Sequence, residues 1–320
     1  MKYNTLGDTK IRISELGFGA SGIGGMFNNV EKDEAIKTVH KAFDRGINYF
    51  DTSPAYGRST STYGPVTSET ILGQGLKDLN RSEIILSTKA GKVSSLPPKL
   101  NFSYQAIINS VEGSLKRLQT DYIDLLFLHD IEYDKGSHLE LALNEGLESL
   151  NDLKKAGKIR AVGVSCYSIE VLNKVIPNYD LDTVLVHNHY TLINDELIDL
   201  IPKIKAKGMG LVSASPFASG LLTHQGPPDW YPINSNDLCV INKTLNFCKE
   251  NDVPIEKLAI QYALNNPEIP TTLFSCTERG ILNKNIDWIE EPIDQIMIEN
   301  IKQFLKPIKN KDFDFGEYND

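Results

Sequence analysis

The chain has 320 residues and a formal net charge of −9 at pH 7, with 41% hydrophobic and 23% charged residues. This acidic balance argues against a nucleic-acid surface, which needs clustered Lys and Arg, and no segment reaches the ~18 to 20 apolar residues of a membrane helix. Residues 1–4 lack the apolar core of a secretion signal, and the four cysteines show neither a CxxC motif nor metal-type pairing with histidine. We therefore expect a cytoplasmic protein with buried free thiols and no obligatory protein partner.

Strand-like and helix-like segments alternate along the chain. Residues 2–6 and 10–13 flank a turn and predict a small hairpin. Apolar runs predict strands over residues 16–19, 47–51, 84–88, 123–128, 159–164, 183–186, 211–213 and 270–274. Helical periodicity predicts helices over residues 31–44, 68–79, 103–118, 139–156, 169–176, 196–207, 238–250, 255–265, 278–286 and 293–304.

These segments make eight strand–helix units with no linker or repeat between them. Eight parallel strands with crossover helices close most naturally into an α/β fold of the (β/α)8 TIM barrel type. The N-terminal hairpin would cap the bottom of the barrel. We expect one domain over residues 1–320, with the polar segment 311–320 as a frayed tail.

Residues 17–22 match the dinucleotide fingerprint G-x-G-x-x-G after a strand. That fingerprint also needs a helix opening at its last glycine and an acid about 20 residues later, at the next strand end. Here Gly22 is followed by loop-like residues, and the acid at the next strand end, Asp51, comes too late. We interpret the segment as a glycine loop at the top of barrel strand one.

Polar side chains stand at the C-terminal ends of three consecutive predicted strands. Asp51 ends the second strand and Tyr56 follows in its loop, while Lys89 and His129 end the third and fourth strands. Because the strand ends of such a barrel share one rim, these four side chains should meet there. Each alone could be structural, as a cap, a packed tyrosine, a snorkelling lysine or a core histidine, but their coincidence favours a catalytic site.

The chemistry that this set suits is proton transfer through the phenol. Free tyrosine has a pKa of ~10, and a nearby cation lowers it by stabilising the tyrosinate. Lys89 could supply that cation and Asp51 could hold Lys89, since a buried lysine is costly unless it is paired. His129 could orient or polarise the substrate oxygen.

The chain resembles the aldo-keto reductase family from the hairpin to at least Trp288. The family's Asp, Tyr, Lys and His tetrad falls on the four residues above, and family-like text flanks them at residues 46–52, 68–73, 114–124 and 157–165. Within the family, the chain is similar to the L-galactose dehydrogenase branch, which oxidises an aldose at C1 with NAD. That likeness lies in residues 129–133, 189–195 and 214–230.

Two departures from this branch border the expected substrate pocket. The loop after Tyr56 is lengthened by Ser59 to Pro65, and strand five ends in Ser165-Cys166-Tyr167-Ser168. The expected substrate contacts are Tyr133 and Trp230. Trp230 lies in the long loop after strand seven, where an aromatic ring would cover an apolar sugar face; the alternative is that it packs on the surface. The identity of the sugar therefore stays open.

The resemblance implies a nicotinamide cofactor at the same rim. Ser165 and Asn188 would hold the carboxamide, Asn285 the adenine, and the small residues and free amides of loop 215–222 the pyrophosphate; the alternative is that this loop is merely flexible. The full set of expected cofactor contacts is Ala20, Ser21, Ser165, Asn188, Ser215, Phe217, Gly220, Leu221, Ser275 and Asn285.

The expected cofactor is NAD, with NADP less favoured. NADP-preferring members carry a Lys or Arg at the position of Ser275 and an Arg near Ile281, and this chain has neither. A 2′-phosphate without charge-assisted partners would be poorly held, although Arg279 is a nearby cation that could partly substitute.

Two further polar groups have plain explanations. Strand alternation would turn His187 and His189 away from the rim if Asn188 faces the cofactor, so we expect no metal there. The acids of residues 130–134 predict a solvated loop, with contact to sugar hydroxyls as the alternative.

The favoured function is an NAD-dependent aldose 1-dehydrogenase that forms a lactone, with Tyr56 as proton acceptor. The alternative enzyme is an NADP(H)-dependent reductase of aldehydes or ketones, with Tyr56 as proton donor. A barrel that serves only as a binding or regulatory subunit is disfavoured, because all four tetrad positions are filled.

Overall fold

The computed structural model describes residues 1–25, 30–57, 68–95, 98–227 and 231–311. In these ranges the strands are β1 Tyr3–Thr5, β2 Arg12–Ser14, β3 Leu16–Gly19, β4 Tyr49–Asp51, β5 Ile85–Ala90, β6 Lys92–Ser95, β7 Pro98–Leu100, β8 Ile123–His129, β9 Ile159–Cys166, β10 Thr183–His187, β11 Gly210–Ala214 and β12 Thr271–Phe274. The α-helices are α1 Lys32–Asp44, α2 Ser68–Leu76, α3 Tyr104–Leu118, α4 Leu139–Leu141, α5 Leu147–Lys155, α6 Ile169–Asn178, α7 Leu197–Ala206, α8 Ser235–Glu250, α9 Ile255–Leu264, α10 Arg279–Glu290 and α11 Gln295–Leu305. None of these helices is long and apolar enough to cross a membrane.

Eight strands close into a parallel barrel in the order β3-β4-β5-β8-β9-β10-β11-β12. The barrel is closed by the pairing of β12 with β3, where Leu273 lies opposite Gly17. A side chain on Gly17 would place its Cβ 2.6 Å from the Tyr49 ring, so only glycine fits this packed interior. The (β/α)8 prediction is confirmed.

The N-terminal hairpin pairs β1 with β2 antiparallel and covers the bottom of the barrel. Leu6, Ile11 and Ile13 are buried in one cluster with inward-facing barrel residues such as Leu125. The Asp8 amide donates to the Gly208 carbonyl, 2.8 Å away, just before β11. The functional rim is therefore the opposite one, where the strands end.

The glycine-rich segment after β3 is a series of turns through Gly25, and the first helix begins at Lys32. No helix opens at Gly22, where an added Cβ would lie 2.8 Å from the Ser275 hydroxyl oxygen. The absence of a helix at Gly22 confirms that this segment is not a dinucleotide fingerprint. Gly22 is instead needed for the close contact between its loop and the loop after β12.

The structure differs from the predicted elements in two places. The expected helix over 139–156 is interrupted by a π-helical segment, Ala142–Gly146, and a Cβ on Gly146 would lie 3.1 Å from a Leu128 methyl. After β5, the strands β6 and β7 form an unpredicted antiparallel hairpin.

Cys239 is exposed, contrary to the expectation for all four thiols, while the other three cysteines are buried.

Candidate active site

The ends of β4, β5 and β8 bring the predicted tetrad together. Parallel pairing sets Asp51 opposite Ser87 and Lys89 opposite Phe127, so consecutive strands deliver their last residues to one rim. Asp51, Lys89 and His129 are buried, and Tyr56 is half-buried in the loop beyond β4.

Asp51 and Lys89 form a buried ion pair with a separation of 2.6 Å between Oδ2 and Nζ. The Ser87 hydroxyl donates to the other carboxylate oxygen at 2.6 Å, and Lys89 also donates to the Thr52 carbonyl at 2.9 Å. Burial alone would lower the pKa of Lys89, but Asp51 and the Tyr56 phenol outweigh it and raise that pKa. Lys89 is therefore a fixed cation at neutral pH.

Tyr56 lies against this cation, with Lys89 Nζ 4.8 Å from the centre of its ring. Its backbone is anchored on both sides, because its amide donates to the Ser53 carbonyl and its carbonyl accepts from the Ser68 amide. Burial raises the pKa of the Tyr56 phenol and Lys89 lowers it, and burial outweighs Lys89, so the pKa lies above its usual value. The expectation of a lowered pKa is thus wrong for the free protein, since desolvation disfavours the phenolate more than the lysine favours it.

His129 faces the same phenol, with the two rings edge to face and 5.6 Å between their centres. Its Nδ1 lies 3.0 Å from the Ser53 hydroxyl oxygen. Burial lowers the pKa of His129 to about 3, so the imidazole is neutral at physiological pH. A neutral imidazole carries a single N–H and can donate it to a substrate oxygen.

The predicted carboxamide contacts lie at the ends of β9 and β10. Ser165 is buried, and its hydroxyl lies 3.4 Å from a carboxylate oxygen of Asp130. The Asn188 amide nitrogen donates to the Ser219 hydroxyl at 2.9 Å, while its buried Oδ1 has no hydrogen-bond partner among the described residues. That oxygen fits the N–H donors of a nicotinamide carboxamide.

The loop after β11 is a series of hydrogen-bonded turns. Ser215, Ala218, Ser219 and Gly220 all have positive φ. The amides of Ala218, Gly220 and Leu221 donate to carbonyls within the loop, so these three are not the free amides that the sequence suggested; Phe217 supplies one of those carbonyls. The hydroxyl groups of Ser215 and Ser219 are further polar groups of this loop, and each contacts a side chain at the end of β10 or just beyond it.

The other predicted cofactor contacts lie just after β3, just after β12 and on α10. The Ser21 and Ser275 hydroxyl oxygens are 3.3 Å apart, and Ser275 also accepts from the Gly22 amide at 3.0 Å. Asn285 is buried, and its Oδ1 has no hydrogen-bond partner in the described part of the chain, so it fits an adenine amino group. Ala20 is wholly buried and uses both backbone polar groups in the rim itself.

A cavity of about 460 Å³ lies at the start of α10 beside this adenosine region. Arg279 donates to both carboxylate oxygens of Glu34, at 2.7 and 3.0 Å. The cavity is lined by Val30, Glu31, Glu34, Thr277, Glu278, Arg279 and Gly280. It therefore combines three acids with one cation that is already paired.

The expectation that His187 turns away from the rim is wrong. Asn188 has a φ of 63°, which breaks the strand alternation, and His187 faces the site. Its ring packs 4.5 Å from that of Tyr167, and its Nε2 lies 2.5 Å from the Ser215 hydroxyl oxygen. His189 does turn away, between Glu196 and the Tyr167 carbonyl. A left-handed asparagine leaves no signal in the pattern of apolar residues.

The acidic loop after β8 is also not the solvated loop that the sequence predicted. Asp130 is 3% exposed and pairs with Lys92 at 2.7 Å, while Glu132 accepts from the Tyr167 amide at 2.6 Å. Asp134 alone of the three acids is exposed. Lys92 lies on β6, in the hairpin that the sequence did not predict.

Of the expected substrate residues, the structure describes Tyr133 but not Trp230. Tyr133 is half-buried, with Lys92 Nζ 3.9 Å from the centre of its ring. Trp230 and the lengthened loop, Ser59 to Pro65, lie outside the described residues. Among the residues that are described, no group of three or more His, Cys, Asp or Glu side chains is placed to hold a metal ion.

Comparison with known proteins agrees with this fold. Residues 15–306 match the model of the aldo/keto reductase family, and the chain belongs to that family of nicotinamide-dependent oxidoreductases. L-Galactose dehydrogenase of Arabidopsis thaliana is 37% identical over 319 residues, covering 97% of this chain and 96% of that protein.

Two further proteins also match this chain. D-threo-aldose 1-dehydrogenase of a Pseudomonas species is 28% identical and covers 87% of this chain and 90% of that protein. The holo form of an aldo-keto reductase from Bacillus halodurans superposes with a TM-score of 0.77, at 26% identity and with 98% of both chains covered.

Proposed function

We propose that this protein is an NAD-dependent aldose 1-dehydrogenase that oxidises an L-galactose-like sugar at C1 to the lactone. The observation that carries the proposal is the convergence of Asp51, Tyr56, Lys89 and His129 on one rim of the barrel. Two of the relatives above bear names of aldose dehydrogenases, which supports a sugar as substrate. The four unpaired cysteines support a reducing, cytoplasmic location.

Each residue of the tetrad has a defined role in this reaction. Oxidation removes a hydride from C1, which the nicotinamide accepts when it is bound, and a proton from the C1 hydroxyl. Tyr56, as the phenolate, takes that proton, and Lys89 stabilises the phenolate electrostatically. Asp51 keeps Lys89 in place, and the neutral His129 donates its N–H to the substrate oxygen.

Reduction of an aldehyde or ketone is the second candidate, and one observation favours it. Because the pKa of Tyr56 is raised in the free protein, the phenol is protonated, and this is the form that a reductase needs. A 28% identical relative from Escherichia coli bears the name NADH-specific methylglyoxal reductase. The same tetrad serves both directions by microscopic reversibility.

Turnover of candidate substrates tests both. L-Galactose, L-fucose, D-arabinose and simple alcohols would be screened for NAD reduction, and methylglyoxal for NADH oxidation. Tyr56→Phe should lower kcat by about 10²-fold or more, the scale of general acid–base catalysis, while NAD affinity by calorimetry stays unchanged. Full activity of Tyr56→Phe would reject the proposed role, and activity on carbonyls alone would reject the dehydrogenase.

The preference for NAD over NADP rests on the adenosine cavity. Arg279, the cation that could hold a 2′-phosphate, already donates to both oxygens of Glu34. Glu31 and Glu278 add negative charge to the same cavity, so a phosphate would meet repulsion and no unpaired guanidinium.

Glu34→Gln tests this arrangement, since it frees Arg279 with little change in shape. Calorimetry should show tighter NADP binding and unchanged NAD binding, and Glu34→Gln/Arg279→Ala should abolish the gain. A wild-type protein that binds NADP more tightly than NAD would overturn the proposed preference.

A further inference from the structure

A second buried ion pair lies beside the tetrad. Lys92, the first residue of β6, places its Nζ 2.7 Å from Oδ2 of Asp130, the residue after β8. Their side chains are 7% and 5% exposed. Two charges this deeply buried are costly to retain for stability alone, so their position calls for a reason.

The pair is built against the imidazole of the tetrad. Asp130 Oδ2 lies 3.5 Å from Nε2 of His129, and the Ser165 hydroxyl lies 3.4 Å from the other carboxylate oxygen. The Asp130 amide donates to the Ser165 carbonyl at 2.9 Å, and its backbone is left-handed, with a φ of 51°. A non-glycine residue in this conformation is strained by about 1 kcal/mol or more, so the surrounding structure holds it there.

This contact bears on which nitrogen of His129 carries the proton. A neutral imidazole has one N–H, and the neighbours of the two nitrogens fix the tautomer. A carboxylate only accepts, so Asp130 favours a proton on Nε2. At 3.5 Å the two atoms are farther apart than in a typical N–H···O hydrogen bond, so this N–H can still donate to a substrate oxygen. The Ser53 hydroxyl can either donate or accept, and it then donates to Nδ1 at 3.0 Å.

Lys92 makes this arrangement possible without charging the histidine. Asp130 alone would favour an imidazolium, and the ammonium of Lys92 offsets that pull. Burial raises the pKa of Asp130, but the Lys92 ammonium, which donates to its carboxylate, holds that pKa below the usual range, so the carboxylate stays an acceptor. Lys89 and His187 also disfavour a positive charge on His129.

We infer that Asp130 is a positioning residue that holds His129 in its Nε2–H tautomer, with Lys92 as the charge partner that keeps Asp130 ionised. The proposed oxidoreductase function is needed only for the consequence for turnover. The tautomer itself can be measured in a protein whose substrate is unknown.

The test is ¹⁵N NMR on histidine-labelled protein, with His129→Gln to assign the His129 signals. The wild-type protein should show His129 as the Nε2–H form. In Asp130→Asn the charged acceptor is lost and the signals should move toward a mixture of both tautomers. The double variant Asp130→Asn/Lys92→Met should give the same shift without leaving an unpaired buried charge.

Turnover separates positioning from a structural role. Asp130→Asn should lower kcat on the order of 10-fold or more, the scale found for groups that orient metal-ligating histidines, with KM for NAD unchanged. The matched control is Asp124→Asn. Asp124 lies near the start of β8, at the opposite end from His129, and its buried carboxylate is paired with Arg81. This variant should lower stability and leave both the His129 signals and kcat nearly unchanged.

Three results would overturn the inference: a wild-type His129 in the Nδ1–H form, unchanged signals in Asp130→Asn, or an equal loss of kcat in Asp124→Asn. Absence of turnover on every sugar and carbonyl would instead count against the proposed function, and the NMR result would still decide the tautomer.

Discussion

The ion pair between Lys89 and Asp51 gives the most direct test of how the site is built. Lys89→Met removes the ammonium and keeps an apolar stem of similar length. Asp51 then retains the Ser87 hydroxyl but loses its cation in a site where both side chains are at most 5% exposed. Removing one partner of a buried pair costs about 3 to 5 kcal/mol, because an unpaired charge stays behind. At about 2 °C per kcal/mol for a chain of this size, Tm should fall by roughly 6 to 10 °C.

Urea unfolding and thermal scans measure that loss, and the double variant Asp51→Asn/Lys89→Met identifies its cause. The double variant leaves no buried charge, so it should recover part of the stability that Lys89→Met loses. Turnover should be low in both variants, since both lack the cation beside Tyr56. If the double variant is no more stable than Lys89→Met, or if Lys89→Met is as stable as the wild type, the unpaired carboxylate is not the cause.

Two further predictions concern stability. Gly91→Ala should lower the free energy of unfolding in urea by about 3 kcal/mol, because the φ of Gly91 is +95° and the new Cβ would lie 2.1 Å from a ring carbon of Phe102. Gly157→Ala is the control, since Gly157 has a φ of +73° but open space around it, and it should cost only about 1 kcal/mol. Equal losses in the two variants would refute the steric argument. Stability should also fall by roughly 1.4 kcal/mol per pH unit on acidification from pH 6.5 to 4.5, and stability that is flat or rising with acid would contradict this. The sign follows from His129 and His187, whose pKa is lowered to about 3 in the folded protein, so that the unfolded chain binds more protons than the folded one. Glu132, whose pKa is raised to about 7, opposes them but is only one group against two.

The barrel and its tetrad could be predicted from the sequence for one reason. Apolar runs mark the strands, and parallel strands of similar length bring their last residues to one rim, so Asp51, Lys89 and His129 had to be neighbours. Tyr56 follows in a loop, but its anchoring between Ser53 and Ser68 keeps it at that rim.

The second ion pair could not be predicted in the same way. Asp130 stands in a run of polar residues that is typical of a solvated loop, and its burial depends on a lysine 38 positions earlier. Lys92 lies on a hairpin whose partner strand begins with a proline, a residue that sequence patterns usually exclude from strands. Contacts between two loops of this kind depend on tertiary structure and leave no periodic signal.

The state of Tyr56 follows from the balance of these charges and gives a last prediction. Each of the two lysines near the phenol is neutralised by its own aspartate, so burial dominates and raises the pKa of Tyr56. The oxidised nicotinamide ring carries a positive charge and the reduced ring carries none, so NAD should favour the phenolate and NADH the phenol. Difference absorbance at 295 nm between the wild type and Tyr56→Phe should show ionisation at lower pH with saturating NAD than with NADH. Equal titrations with the two cofactors would mean that the bound cofactor does not set the protonation state, and that the direction of the reaction is determined outside this site.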